Sequence, residues 1–264
     1  MREVKLLSIV IPYFNKRQLL LNTLKSINHF KGEYPVEVII VDDTSSRDQS
    51  IHDIKVLFPN LNINLIIVQR NPITWRGPTV AYNIGFNVAR GDVILINGTD
   101  CVHMGDMIGY VFSKLPINAY ISFSAYKGMS LPDDIFHTLN WDDPEKMGML
   151  GKSFNTEVKE NWHVHSRFFY YLIPFCAAIA TEDMEKLSGM DERFELGIGY
   201  DDNDFIDRVI NLGLDVFLID DPFCVHQKHP LTNYSNDINK KLYIQLCRTE
   251  PNRVKAITNK IYIR

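Results

Sequence analysis

The apolar positions at the head of the chain come in short unbroken runs separated by polar, turn-rich stretches. Leu6 to Ile11 is apolar almost throughout and is ended by Pro12, the pattern of a strand buried on both faces of a parallel sheet. Leu19, Leu20, Thr23, Leu24 and Ile27 then trace one helical face through Phe30, and Gly32 and Pro35 stop it. Val36 to Val41 predicts a second strand, Asp48 to Phe58 a helix, and Leu61 to Val68 a third strand. After the polar loop Arg70 to Pro78 comes a helix over Thr79 to Ala89, with Pro78 near its first turn, then a fourth strand over Val93 to Ile96. This alternation predicts an α/β protein with a mostly parallel central sheet flanked by helices and joined by right-handed crossovers. Ligands collect at the carboxyl ends of such strands. The loops after Ile11, Val41 and Ile96 are therefore expected to bring Tyr13, Asp42 and Asp100 into one cleft.

Beyond Met104 the pattern loosens. Ala119 to Ser124 reads as a strand, and Gly128 to His165 is long, weakly periodic and rich in Asp, Pro, Gly and Trp, as lids and binding loops often are. Phe168 to Ala180 is apolar with Pro174 inside it, a buried strand pair or a bent strand. Thr181 to Leu187 predicts a short helix, Val216 to Ile219 a strand and Asn236 to Cys247 a closing helix. Between them, Asp201, Asp202, Asp204 and Asp207 fall at a helix start behind Gly197 and Gly199. Phe205, Ile206, Val209 and Leu212 recur at helical spacing, which puts Asp202 one turn above Ile206 and Val209, on the row that faces the core. A helix N-terminus favours an ionised acid, and a directed carboxylate in a cleft is a candidate general base.

Composition narrows the class. With 264 residues and 45% hydrophobic content the chain fits one domain, and a net charge of −4 without a basic run argues against nucleic acid as a partner. Cys101, Cys176, Cys224 and Cys247 show no paired metal spacing and no disulfide framework. No signal h-region or run of about 18 apolar residues is seen, so a soluble, cytoplasmic protein without a transmembrane segment is expected. No Gly-x-Gly-x-x-Gly follows the first strand, which counts against a dinucleotide site.

Taken together, Ser8 to Asn15, Glu37 to Ser45, Asn83-Ile84-Gly85 before Ala89-Arg90-Gly91-Asp92, and Gly189 to Phe194 with Gly199-Tyr200-Asp201-Asp202 resemble a family 2 glycosyltransferase of the GT-A fold. The resemblance runs from Ser8 to about His229. It implies a single domain with a nucleotide-sugar-binding half over 1–103 and an acceptor and catalytic-base half over 104–264. By that resemblance Asp42 would hydrogen-bond the uracil of a UDP-sugar donor, Pro12 and Tyr13 would line base and ribose, and Arg76 could reach the nucleotide or its phosphates.

The family's Asp-x-Asp metal motif is altered here. Its two positions fall on Gly98 and Asp100, so one carboxylate remains, with Thr99 beside it at the donor. Asp100 and His226 are the expected ligands of Mn²⁺ or Mg²⁺, and the imidazole favours Mn²⁺. Asp202 matches the family's catalytic base. Asp201 is expected at the acceptor hydroxyl, and Trp162, in the poorly periodic segment, against an acceptor sugar ring. The activity implied is an inverting, metal-dependent transfer to a hydroxyl of a glycan or other acceptor, with donor sugar, acceptor and oligomeric state open. A nucleotide-sugar-binding protein without transferase activity is the alternative that the thinned metal motif leaves.

Overall fold

The computed structural model describes residues 1–69, 76–131, 135–143, 146, 150, 153–230, 235–250 and 261–263. Its strands are β1 (Leu7–Tyr13), β2 (Val36–Asp43), β3 (Asn62–Val68), β4 (Val93–Asn97), β5 (Cys101–Met104), β6 (Ala119–Lys127), β7 (Trp162–Val164), β8 (Cys176–Ala180), β9 (Asp215–His226) and β10 (Ile261–Ile263). The helices are α1 (Arg17–Phe30), α2 (Ile54–Leu57), α3 (Thr79–Val88), α4 (Met107–Lys114), α5 (Ile135–Thr138), α6 (Thr181–Leu187), α7 (Asp201–Asn211) and α8 (Asp237–Thr249).

The strands form one sheet in the order β10-β9-β6-β8-β4-β1-β2-β3, with β5 on β9 and β7 on β6. The first half is the expected parallel unit: β1 pairs parallel with both β2 and β4, and β2 with β3. Its central strands are apolar on both faces because helices cover both sides, and Leu7, Ile9, Val10, Val38, Ile39, Ile40, Ile94 and Leu95 are fully buried. Gly85 lets α3 lie directly on this sheet: a Cβ there would come within 2.3 Å of Val10 Cγ1. The second half mixes directions, since β8 runs antiparallel between β4 and β6.

Several elements depart from the periodicity reading. The helix expected over Asp48 to Phe58 is reduced to a 3₁₀ turn (Arg47–Gln49) and the single turn α2. The reason is local: the Tyr13 hydroxyl takes the Gln49 carbonyl and the Arg17 guanidinium takes that of Ser50, so neither serves a helix. Only Cys176–Ala180 of the apolar stretch from Phe168 is a strand. The four-residue β5 and the helix α4 have no clear periodic signature. β9 runs well past Ile219 because its ladder on β6 shifts between Phe123 and Ala125, and Pro222, which lacks an N–H, sits in that shift.

Candidate active site

Three neighbouring strand ends make the floor of a cavity of about 220 Å³. Pro12 and Tyr13 end β1, and the segment Gly98 to Asp100 follows β4; with Lys16 and Arg76 they line the same space. Thr99 ties the floor together. Its hydroxyl donates to the Pro12 carbonyl, and its own carbonyl accepts from the Thr23 hydroxyl of α1 at 2.8 Å.

On β2 the acid at the cavity wall is Asp43 rather than the expected Asp42. Successive side chains of a strand point to opposite faces, and Asp42, paired in register with Tyr13, turns its Oδ1 to the backbone N–H of Ser45 at 2.9 Å. It remains beside the base of the cavity: burial, then the Asp42 charge, pushes the Tyr13 phenol well above its usual range. Arg76 lines the cavity and is held by Glu195, 2.9 Å away, while the Gly77 N–H donates to the Glu195 carbonyl at 2.7 Å.

The antiparallel pairing of β5 with β9 sets Cys101 opposite His226 and so brings Asp100 to the end of β9. The Gln227 N–H donates to the Asp100 carbonyl at 2.8 Å. His226 Nε2 lies 3.7 Å from Asp100 Oδ1, and His229 Nε2 lies 3.1 Å from Asp100 Oδ2. One ligand atom from each of these three residues falls within 4.8 Å of the others. One carboxylate oxygen and two imidazole nitrogens fit a divalent transition ion such as Mn²⁺ better than Mg²⁺. His229 escapes the sequence reading; the spacing His226-x-x-His229 at a strand end is the signal that could have found it.

Burial pushes the Asp100 carboxyl up, but the charges of His226 and Lys16, and hydrogen bonds from His229 and Lys16, hold it well below the usual carboxylate range. The hydrogen bond to Asp100 in turn raises His229. Behind this cluster the thiols of Cys101, Cys176 and Cys224, fully buried and unbridged, gather within 4.8 Å of one another.

The acidic helix arrives from the other side. Asn83 of α3 donates to the Met190 carbonyl at 2.8 Å and to Glu192 at 2.9 Å, which fixes Gly189 to Phe194 against the first half. Asn239 of α8 then holds the Phe194 and Gly199 carbonyls, both at 2.9 Å. Gly199 (φ +70°) and Tyr200 (φ +63°) turn the chain into α7 through the left-handed region, a strained choice for a tyrosine. Asp201 and Asp202 open the helix, both half-buried.

Burial pushes the Asp201 carboxyl up to about 6, and burial together with the Asp201 charge lifts Asp202 well above the carboxylate range. The buried Tyr82, on the cavity wall, joins the two acidic sites. Its phenol is raised by burial first and then by nearby groups that include Asp202 and Asp100. Tyr82 thus lies within electrostatic reach of both Asp100 and Asp202, while Asp202 itself does not line the cavity.

Trp162 does not present its ring. It is 1% exposed, donates its indole N–H to the Thr156 carbonyl at 3.0 Å, and packs edge-on against Tyr126 and Phe223. Aromatic residues from β6, β7 and β9 bury one another there, so this tryptophan belongs to a second apolar cluster rather than to an open stacking face.

Comparison with known proteins bears on the fold and the family. A family model described as N-terminal domain of galactosyltransferase matches residues 163–230. The probable glycosyltransferase YdaM of Bacillus subtilis is 28% identical over 101 residues, which is 38% of this chain and 24% of that protein. A mannosyltransferase from Pyrobaculum calidifontis, solved with GDP-Man and Mn²⁺, superposes with a TM-score of 0.62 at 16% identity, over 98% of this chain and 67% of that one. Residues 1–349 of TarS from S. aureus, solved with UDP, give a TM-score of 0.63 at 15% identity, over 95% of this chain and 67% of that one. These likenesses establish the GT-A fold. The model described as glycosyl transferase family 2 matches residues 8–175, well over half of the chain, and the protein belongs to that family.

Proposed function

We propose that the chain is an inverting, divalent-metal-dependent glycosyltransferase that moves a sugar from a UDP-sugar to a hydroxyl of a carbohydrate acceptor. The observation that carries this reading is the cluster of Asp100, His226 and His229, with Asp100 also lining the cavity between Pro12, Tyr13 and Thr99; the raised acid Asp202 supports it. Relatives solved with GDP-Man and Mn²⁺, with UDP and with UDP-GlcNAc support a nucleotide-sugar donor.

Pro12 and Tyr13 form the wall for the base and ribose, with Asp42 and Asp43 as the acids nearest it. Asp100, His226 and His229 would hold the metal, and Thr99 keeps the Asp100 segment seated on β1. When bound, a divalent ion would neutralise charge building on the departing diphosphate. Arg76 and Lys16 add positive charge at the same wall. Asp202 takes the proton of the acceptor hydroxyl as that oxygen bonds to the anomeric carbon and the bond to UDP breaks on the opposite face. Asp201 accepts a hydrogen bond from the acceptor. A carboxyl raised by burial and by its neighbour is a stronger base than a solvated one, which is what deprotonating an alcohol requires.

The test is UDP release from UDP-sugars over a panel of glycan acceptors with Mn²⁺, for the wild type and Asp202→Asn. Turnover is expected to fall about 10²-fold or more, with the affinity for UDP nearly unchanged. Retained turnover in that variant removes Asp202 from the chemistry.

A further inference from the structure

Lys16 stands where an ordinary cation site would have none. It immediately precedes α1 without capping it through its side chain, its ammonium lies 2.6 Å from Asp100 Oδ2 and 3.3 Å from His229 Nε2, and its side chain is 31% exposed. The carboxylate oxygen it grips is the one within 3.1 Å of His229, so lysine and metal would need the same lone pairs. Divalent ions are held by net negative ligand sets. Here Gly98 supplies no second carboxylate, and the charge of Asp100 is already matched by Lys16. Because Lys16 also lines the cavity with Pro12, Tyr13 and Thr99, its flexible stem can turn from Asp100 towards a ligand in that space.

We propose that Lys16 and a divalent cation are rival partners of Asp100: in the nucleotide-free protein the ammonium holds the carboxylate, and a nucleoside diphosphate, whose phosphates accept both cations, releases Asp100 to the metal while Lys16 turns to the phosphates. This inference rests on the metal reading given above and adds a rule of assembly to it. Metal alone binds weakly, the diphosphate strengthens metal binding, and by reciprocity metal strengthens diphosphate binding by the same factor.

The experiment measures Mn²⁺ binding by the electron paramagnetic resonance of free Mn²⁺, with and without UDP, for wild type, K16M, K16R and D100N, each checked for a cooperative thermal transition. K16Q takes the place of K16M if the latter does not fold. Without UDP, K16M is expected to bind Mn²⁺ at least about 10-fold more tightly than wild type, within the usual range of coupling between sites, whereas K16R stays weak. UDP is expected to tighten Mn²⁺ binding much more in wild type than in K16M. Equal affinity of wild type and K16M without UDP overturns the rivalry while leaving the metal site standing. If wild type and D100N hold Mn²⁺ equally in the presence of UDP, the metal reading is wrong and this inference falls with it.

Discussion

Asp201→Asn should make the protein more stable while making it a worse enzyme. Burial, with Asp204 adding to it, raises the Asp201 carboxyl from 3.8 to about 6. A carboxyl with a raised folded-state pKa binds its proton more tightly in the folded protein than in the unfolded chain. Its contribution therefore favours folding most below about pH 4 and declines as pH rises towards 6, above which the penalty is constant. A rise of about two pKa units corresponds to roughly 3 kcal/mol. Asparagine keeps the shape and the acceptor oxygen but carries no charge to desolvate. For a domain of this size roughly 2 °C per kcal/mol gives an increase in Tm of about 6 °C at pH 7.5, shrinking to near zero at pH 4. Thermal unfolding of wild type and variant followed by circular dichroism between pH 4 and 8 measures this difference directly. A variant that is less stable at pH 7.5, or whose advantage does not vanish on acidification, refutes the assignment of a half-buried, raised acid at the head of α7.

Burial first and then the Asp201 charge raise Asp202, so Asp201→Asn is also expected to move the acidic limb of the kcat/KM profile to lower pH, because removing that charge lets Asp202 ionise more easily. His229→Ala is expected to weaken Mn²⁺-dependent UDP binding, read by calorimetry with and without the metal, and unchanged binding would exclude His229 from the ligand set. Gly85→Ala drives a Cβ into Val10 and is expected to cost about 1–3 kcal/mol by overpacking, measured in urea melts. Trp162→Ala is expected to cost about 3–5 kcal/mol of stability, and a variant as stable as wild type with only a raised acceptor KM would return this indole to the acceptor site.

The first hundred residues are legible because β1, β2 and β4 are mostly apolar runs closed by proline, an acidic loop or glycine, and both their faces are covered; only the edge strand β3 alternates. What fails nearby fails through tertiary hydrogen bonds: no periodicity reveals that Tyr13 and Arg17 will claim the carbonyls of Gln49 and Ser50. Beyond Met104 strand lengths run from three residues in β7 to twelve in β9, antiparallel neighbours intervene, and the register of β9 shifts at Pro222, so length and alternation lose their meaning. At the site, Asp100, His226 and Asp202 are visible as residue types at motif positions. Which of Asp42 and Asp43 faces the cavity depends on strand pleat, and the grip of Lys16 on Asp100 spans 84 residues, a pairing that no local pattern encodes. Trp162 misleads because an indole in a polar, aperiodic stretch looks the same whether its ring faces a ligand or its neighbours.

β9 threads twelve residues, from Asp215 to His226, through the sheet between β6 and β10 before delivering its histidine beside Asp100. A growing polypeptide can therefore complete the parallel unit of β1 to β4 long before the residues of β9 have been added. During synthesis Asp100 is thus made long before the histidine that comes to lie beside it, and β9 first joins the sheet along β6, before β10 exists.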